Sequence, residues 1–290
     1  MESMHLRDWY DLTRLDHGFL WGIAVLVGEG LAYRGFPPLS YVILGFTVPV
    51  LIEVGIFAMN DYLDVESDVL NNRTDRPLTR HAIPQQYPLY LSLAVLPLSV
   101  VLGFFTGLSK PFFIVVVFVI LGVLYNVRLK GILMVKNVVM GLCIAAPLIW
   151  GNLVVREEVL PVIIVFAAAA FTSGFGREVL KDMMDTVGDK ATGCKTLPVL
   201  FGLKSSAAAV SLLFLAAGFF ILLPSFYYLD TLYYRDVYYL IPAGATFGIV
   251  CFYMHSLLKD TSYENVKRLR KRTLNILEMG ILTFVLGAIL

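Results

Sequence analysis

Asn60-Asp61-Tyr62-Leu63-Asp64-Val65-Glu66-Ser67-Asp68 closes a long apolar segment and sets Asp61, Asp64 and Asp68 at i, i+3 and i+7. On an α-helix such positions share one face, so the three acids form a single stripe. The pattern returns at Asp182, Asp185 and Asp189, again just after an apolar segment. Each triplet is followed by a basic residue and Leu/Pro, Arg76-Pro77-Leu78 in the first case and Lys195-Thr196-Leu197-Pro198 in the second. Two matching triplets suggest one split site.

The surrounding chain belongs in a membrane. Of its 290 residues 58% are hydrophobic and 16% charged, with a mean hydropathy of +0.76, whereas a soluble domain carries about 25% charged residues. An integral membrane protein is expected, with the lipid bilayer as its surroundings and no nucleic-acid partner. Apolar runs of helical length lie at Gly18 to Tyr33, Leu39 to Asn60, Tyr87 to Thr106, Pro111 to Tyr125, Ile132 to Val155, Leu160 to Phe175, Ala207 to Leu229, Val237 to Leu258 and Leu274 to Leu290. The fold class is therefore all-α, a polytopic membrane protein with nine transmembrane helices in one bundle. Residues 1–290 read as a single transmembrane domain, and the triplets after the second and sixth spans suggest a parallel internal repeat.

Basic residues set the orientation. Arg7 and Arg14, Arg73 to Arg80, Arg128 to Lys136, Arg177 to Lys204 and Lys259 to Arg272 hold most of the 23 Lys and Arg residues; opposite them are only Arg34, Lys110, Arg156 and Arg235. The positive-inside rule puts the N-terminus and both acidic triplets on the cytosolic side, with the plasma membrane as the expected location. No cleavable signal peptide is expected, because Glu2, Asp8, Asp11 and Asp16 interrupt the first residues. Trp9, Tyr10 and Leu12 are expected at the interface, as are Tyr227, Tyr228, Tyr233, Tyr234, Tyr238 and Tyr239 in an outer aromatic belt. Cys143, Cys194 and Cys251 and the four histidines are scattered, so neither a disulfide framework nor a zinc site is indicated.

Six aspartates in two arrays repel one another and call for cations. Hard oxygen ligands without His or Cys select Mg²⁺ or Ca²⁺ over zinc. Mg²⁺ commonly joins one or two carboxylates to substrate phosphates, so the triplets read as jaws that hold a diphosphate through metal ions. Arg73, Arg76, Arg128, Lys130, Lys136, Lys181, Lys190 and Lys195 lie near the triplets in sequence and fit an anionic substrate. Glu29 and Glu53 lie within apolar segments, where an acid is a functional candidate; a buried hydrogen bond is the simpler account of each. A cation transporter is the alternative of a different class, but it should place ionisable groups near the midplane rather than at one mouth.

Asn60-Asp61-x-x-Asp64-x-x-x-Asp68 with Asn71, Arg73 and Arg76-Pro77 resembles the first motif of the UbiA superfamily of intramembrane prenyltransferases. Asp182-x-x-Asp185-x-x-x-Asp189, from Arg177 to Pro198, resembles the second, and Tyr125-Asn126-Val127-Arg128-Leu129-Lys130 is similar to the family's Tyr-Ser-x-x-Leu-Lys segment with Asn in place of Ser. The resemblance implies a nine-helix bundle in which Mg²⁺ and an isoprenyl diphosphate meet the two motifs. The diphosphate leaves an allylic carbocation, which alkylates a lipophilic acceptor. Carried over by position, Asp61, Asp64, Asp68, Asp182, Asp185 and Asp189 would bind metal, with Asp61, Asp64 and Asp182 central to catalysis. Asn60, Arg73, Lys130, Arg177 and Lys181 would bind diphosphate, Tyr125 would face the reacting carbon, and Arg14 would bind the acceptor. The Tyr125 to Leu153 and Arg177 to Gly202 regions look most similar to the branch that makes digeranylgeranylglyceryl phosphate, which implies geranylgeranyl transfer to geranylgeranylglyceryl phosphate. An aromatic quinone precursor such as 4-hydroxybenzoate is the alternative acceptor. The Thr79-Arg80-His81 stretch departs from the Pro-Ser-Gly often seen in that branch.

Overall fold

The computed structural model describes residues 6–70, 73, 76–129, 132, 134–191 and 193–289. Among these the chain is helical throughout: α1 (Leu6–Thr13), α2 (Leu15–Tyr33), α3 (Leu39–Leu70), α4 (Gln86–Phe104), α5 (Ser109–Val127), α6 (Val135–Val155), α7 (Pro161–Ala191), α8 (Leu197–Phe226), α9 (Val237–Lys259) and α10 (Tyr263–Ile289). Two compact units form, one of Met1–Lys130 with Trp150–Glu158, the other of Gly131–Ile149 with Val159–Leu290.

The triplets lie wholly on helix, near the C-terminal ends of α3 and α7. These helices have 32 and 31 residues, against the ~20 that cross an apolar core. Their surplus length carries the acids beyond the most apolar stretch. The second triplet's helix then stops at Gly193, whose φ of +74° suits a residue without a Cβ. There Cys194 N donates to the Asp189 carbonyl and turns the chain.

In the first unit, Val25, Val48, Val115, Trp150 and Val154 form an apolar core. Trp150 Nε1 donates to the Gly45 carbonyl at 3.0 Å. A Cβ on Gly45 would overlap Glu29 Oε1, and one on Gly151 would overlap the Val25 carbonyl. Close approach through small residues is how apolar helices gain contact when lipid removes the hydrophobic drive to associate. In the second unit a larger core gathers Phe175, Val179, Leu180, Met183, Val210, Phe214, Met254, Leu257, Leu269 and Ile276.

Several expectations change. Nine crossings were expected; among the described residues seven helices, α3 to α9, are long and apolar enough to cross a membrane. The pair Leu6–Thr13 and Gly18–Tyr33, bent by 52°, would make an eighth if it formed one span. Helix α10 is diluted by Lys267, Arg268, Arg270, Lys271 and Arg272 in its first half. The interfacial tyrosines divide: Tyr227, Tyr228 and Tyr238 are exposed, but Tyr233 and Tyr239 are fully buried. Their hydroxyls donate to the carbonyls of Phe284 (3.1 Å) and Ile221 (2.5 Å), and both rings pack with Phe166. A polar tip that finds a carbonyl lets the rest of a tyrosine ring pack as core. Leu12 is likewise fully buried, in a cluster with Leu78 and Ile83 against which Trp9 packs, and Tyr10 is left exposed. Among the described residues the buried hydrogen bond expected of Glu29 is absent, since both its carboxylate oxygens are buried and meet no hydrogen-bond partner there.

Candidate active-site residues

In the first unit the triplet meets two arginines. Asp61 is 2% exposed, and its Oδ1 accepts from Arg14 Nη2 at 2.7 Å and from Arg76 Nη1 at 2.5 Å. Its Oδ2 is buried and accepts no hydrogen bond from the described residues. Arg76 Nε also stands 3.9 Å from Asp68 Oδ2, so one guanidinium spans the first and last acids of the stripe. Arg14 occupies the left-handed region at φ 47° between α1 and α2, and its guanidinium lies 4.1 Å from the centroid of the Phe57 ring, a favourable cation–π distance.

The middle of the stripe is held separately. Asn60 Nδ2 donates to Asp64 Oδ2 and to Asn126 Oδ1, both at 3.0 Å, while Asn126 Nδ2 donates to the Ile56 carbonyl at 3.1 Å. The Asn found where the family segment has Ser thus ties α5 to α3 beside the half-buried Tyr125. Arg73 is exposed; its backbone N donates to the Asp68 carbonyl and its carbonyl accepts from Thr79 Oγ1. Arg76 N in turn donates to the Arg73 carbonyl at 3.0 Å. Lys130 lies outside the described residues.

In the second unit Asp182 is 1% exposed, and both its oxygens are engaged: Lys136 Nζ donates to Oδ1 at 2.5 Å and Asn137 Nδ2 to Oδ2 at 2.7 Å. Asp185 is exposed, and Asp189 and Lys181 are half-buried. Arg177 Nη1 reaches α10 at 3.3 Å from both Thr273 Oγ1 and the Arg270 carbonyl. This leaves most of the five guanidinium N–H donors for other partners. Among the described residues, no three His, Cys, Asp or Glu side chains form a cluster able to hold a metal by themselves.

That arrangement fits Mg²⁺, which retains water and takes one or two carboxylates plus substrate phosphates rather than a full protein cage. Asp61 Oδ2 is a buried oxygen with its lone pairs uncommitted to any hydrogen bond, and two guanidiniums stand beside the same carboxylate for an anion. A cation and a phosphorylated anion can therefore be accommodated together. In the sequence Arg76 and Lys136 stand out only as basic neighbours of the triplets, and neither Asn126 nor Asn137 stands out as a site residue. The departure of Asn126 from the family's Ser was the one available signal; Asn137 gave none beyond adjacency to Lys136.

A digeranylgeranylglyceryl phosphate synthase of Archaeoglobus fulgidus is 30% identical over 98% of this chain and 96% of its own. A solved structure of a digeranylgeranylglyceryl phosphate synthase superposes with a TM-score of 0.83 at 24% identity, covering 98% of both chains. A UbiA homologue from Archaeoglobus fulgidus bound to GPP and Mg²⁺ has the same fold, with a TM-score of 0.66 at 17% identity over 96% of this chain and 99% of that one. The model of the UbiA prenyltransferase family matches residues 22–277, so the chain is an integral membrane protein that belongs to that family.

Proposed function

We propose that this protein transfers a geranylgeranyl group from geranylgeranyl diphosphate, with Mg²⁺, to geranylgeranylglyceryl phosphate. The observation that carries the reading is Asp61, whose one oxygen is open to a cation while the other gathers two guanidiniums. The synthase named among its relatives, matched over nearly the full length of both chains, supports the choice of acceptor, and the homologue bound to GPP and Mg²⁺ supports an isoprenyl diphosphate as the class of donor, together with the metal.

Asp61, Asp64 and Asp68 in one unit and Asp182, Asp185 and Asp189 in the other are the proposed Mg²⁺ ligands, and Asn60 holds Asp64 in place through its amide. When bound, Mg²⁺ would supply charge neutralisation for the departing diphosphate. Arg73, Lys130, Arg177 and Lys181 are proposed to bind diphosphate, and Arg14 the phosphate of the acceptor. The allylic C–O bond breaks with both electrons going to diphosphate. The acceptor hydroxyl oxygen then bonds to the resulting cation and loses its proton, leaving an ether. Tyr125 is the proposed aromatic face toward that cation, and apolar helix surfaces exclude competing water.

We place the N-terminus and both carboxylate clusters on the cytosolic side of the plasma membrane, because the basic residues concentrate beside the clusters. Nine crossings follow if α2 and the apolar second half of α10 each span. The appearance of one acidic stripe near the C-terminal end of each over-long helix, α3 and α7, supports a single prenyltransferase domain with a parallel repeat.

Purified protein in detergent should convert labelled geranylgeranyl diphosphate and geranylgeranylglyceryl phosphate to the diether only with Mg²⁺, and Asp61→Ala should lower turnover by about 100-fold or more. Product from 4-hydroxybenzoate alone would reassign the acceptor, and full turnover by Asp61→Ala would remove the proposed role of the cluster.

A further inference from the structure

Five side chains outside the acidic stripe, Arg76, Arg80, Asp8, Asp11 and Arg14, lie on a closed path that returns to it. Arg80 Nη2 donates to Asp8 Oδ1 at 2.7 Å and to Asp11 Oδ2 at 2.9 Å, which joins the turn after α3 to α1. The same turn carries Arg76 four residues earlier, and α1 leads directly into Arg14. Both of these arginines end on Asp61 Oδ1. The path therefore runs from Asp61 through Arg76, the turn, Arg80 and α1 to Arg14, and back to the same oxygen.

Packing and backbone geometry support it. Leu12 of α1 is fully buried with Leu78 and Ile83 from either side of Arg80, and Trp9 meets Tyr87 edge to face at 6.1 Å between centroids. Thr79 Oγ1 donates to the carbonyls of Arg73 (2.5 Å) and Arg76 (2.8 Å), and Ala82 N donates to the Pro77 carbonyl (3.0 Å). His81 takes φ 57°, a left-handed conformation that glycine adopts at lower cost. His81 holds that backbone shape with a side chain. The long cationic side chain of Arg80 reaches both Asp8 and Asp11.

We infer that Arg80 is a positioning residue whose ion pairs with Asp8 and Asp11 hold α1 in place and so set Arg14 for the phosphate of the acceptor. The inference rests on the proposed prenyl transfer for the acceptor, but not for the clasp itself. Asp8 is 7% exposed, so losing its cation leaves a nearly buried carboxylate without that partner. Helix α1 is also too short to persist without tertiary contacts.

The test uses the full chain in detergent, with Arg80→Met, Arg80→Lys and Asp8→Asn/Asp11→Asn. Hydrogen exchange of the amides of residues 6–13 should quicken about tenfold in Arg80→Met and in the double Asn variant, as expected for losing a charge-assisted hydrogen bond. Exchange in α10 should stay as in the parent protein, and Arg80→Lys should fall between the two. KM for geranylgeranylglyceryl phosphate should rise by a similar factor in Arg80→Met, while kcat at saturating acceptor and KM for geranylgeranyl diphosphate stay within about twofold. Unchanged exchange over residues 6–13 overturns the clasp. Faster exchange throughout the chain also overturns it, because it marks a general loss of stability. Faster exchange confined to α1 with an unchanged acceptor KM overturns the link to Arg14. If the parent protein transfers no prenyl group, the proposed function fails, and the exchange data still decide the clasp.

Discussion

Lys136→Met isolates the electrostatics of the second carboxylate cluster. The substitution keeps much of the aliphatic length of Lys136 and removes the ammonium 2.5 Å from Asp182 Oδ1, where the two side chains are 27% and 2% exposed. Removing one partner of a fully buried ion pair costs about 3–5 kcal/mol, because the other charge is left uncompensated. Lys136 is partly hydrated, and Asn137 still donates to Oδ2 at 2.7 Å, so a cost of about 1–3 kcal/mol is expected here. For a chain of this size that is an apparent Tm lower by roughly 3–10 °C. Thermal unfolding of the purified protein in one detergent, followed by intrinsic fluorescence, measures it. The double variant Lys136→Met/Asp182→Asn removes both charges and should melt above Lys136→Met alone, with the difference reporting their coupling. The reasoning is refuted if Lys136→Met melts with the parent protein, or if the double variant loses as much as the two single changes added together.

Three further predictions concern packing and buried polar groups. Gly151→Ala should lower stability by about 1–3 kcal/mol, because the new Cβ would overlap the Val25 backbone carbonyl, which has no rotamer to move out of the way. Glu29→Gln should not lower stability, since neither carboxylate oxygen of Glu29 has a partner to lose; thermal melting of both variants checks the pair. Tyr239→Phe should cost about 0.5–1.5 kcal/mol by removing the hydroxyl that donates to the Ile221 carbonyl at 2.5 Å. Tyr238→Phe, at an exposed position, should leave the same melting temperature unchanged.

The acidic stripes were legible because helical spacing is local: Asp61, Asp64 and Asp68 need only α3 to stand on one face. Their partners were not. Arg14 is 47 residues from Asp61, Asn126 is 66 from Asn60, and Lys136 and Asn137 are 46 and 45 from Asp182. Lys136 looked like one more member of a basic loop, since charge counts assign a side of the membrane but not a contact. Tyr233 and Tyr239 looked like their exposed neighbours for a similar reason. Composition places a tyrosine near an interface, and only the neighbouring carbonyl of Phe284 or Ile221 permits its burial.

By itself, then, the sequence determined an all-helical membrane chain, the two i, i+3, i+7 acidic stripes and the family they signal. These follow from hydropathy over helical lengths and from the period of a single helix. The tertiary structure decided which carboxylate oxygens are taken and which is open, which arginines share Asp61, and that α1 packs on the turn after α3. Those outcomes depend on burial and on hydrogen bonds between residues distant in sequence, where losing water makes each polar group's choice of partner energetically decisive.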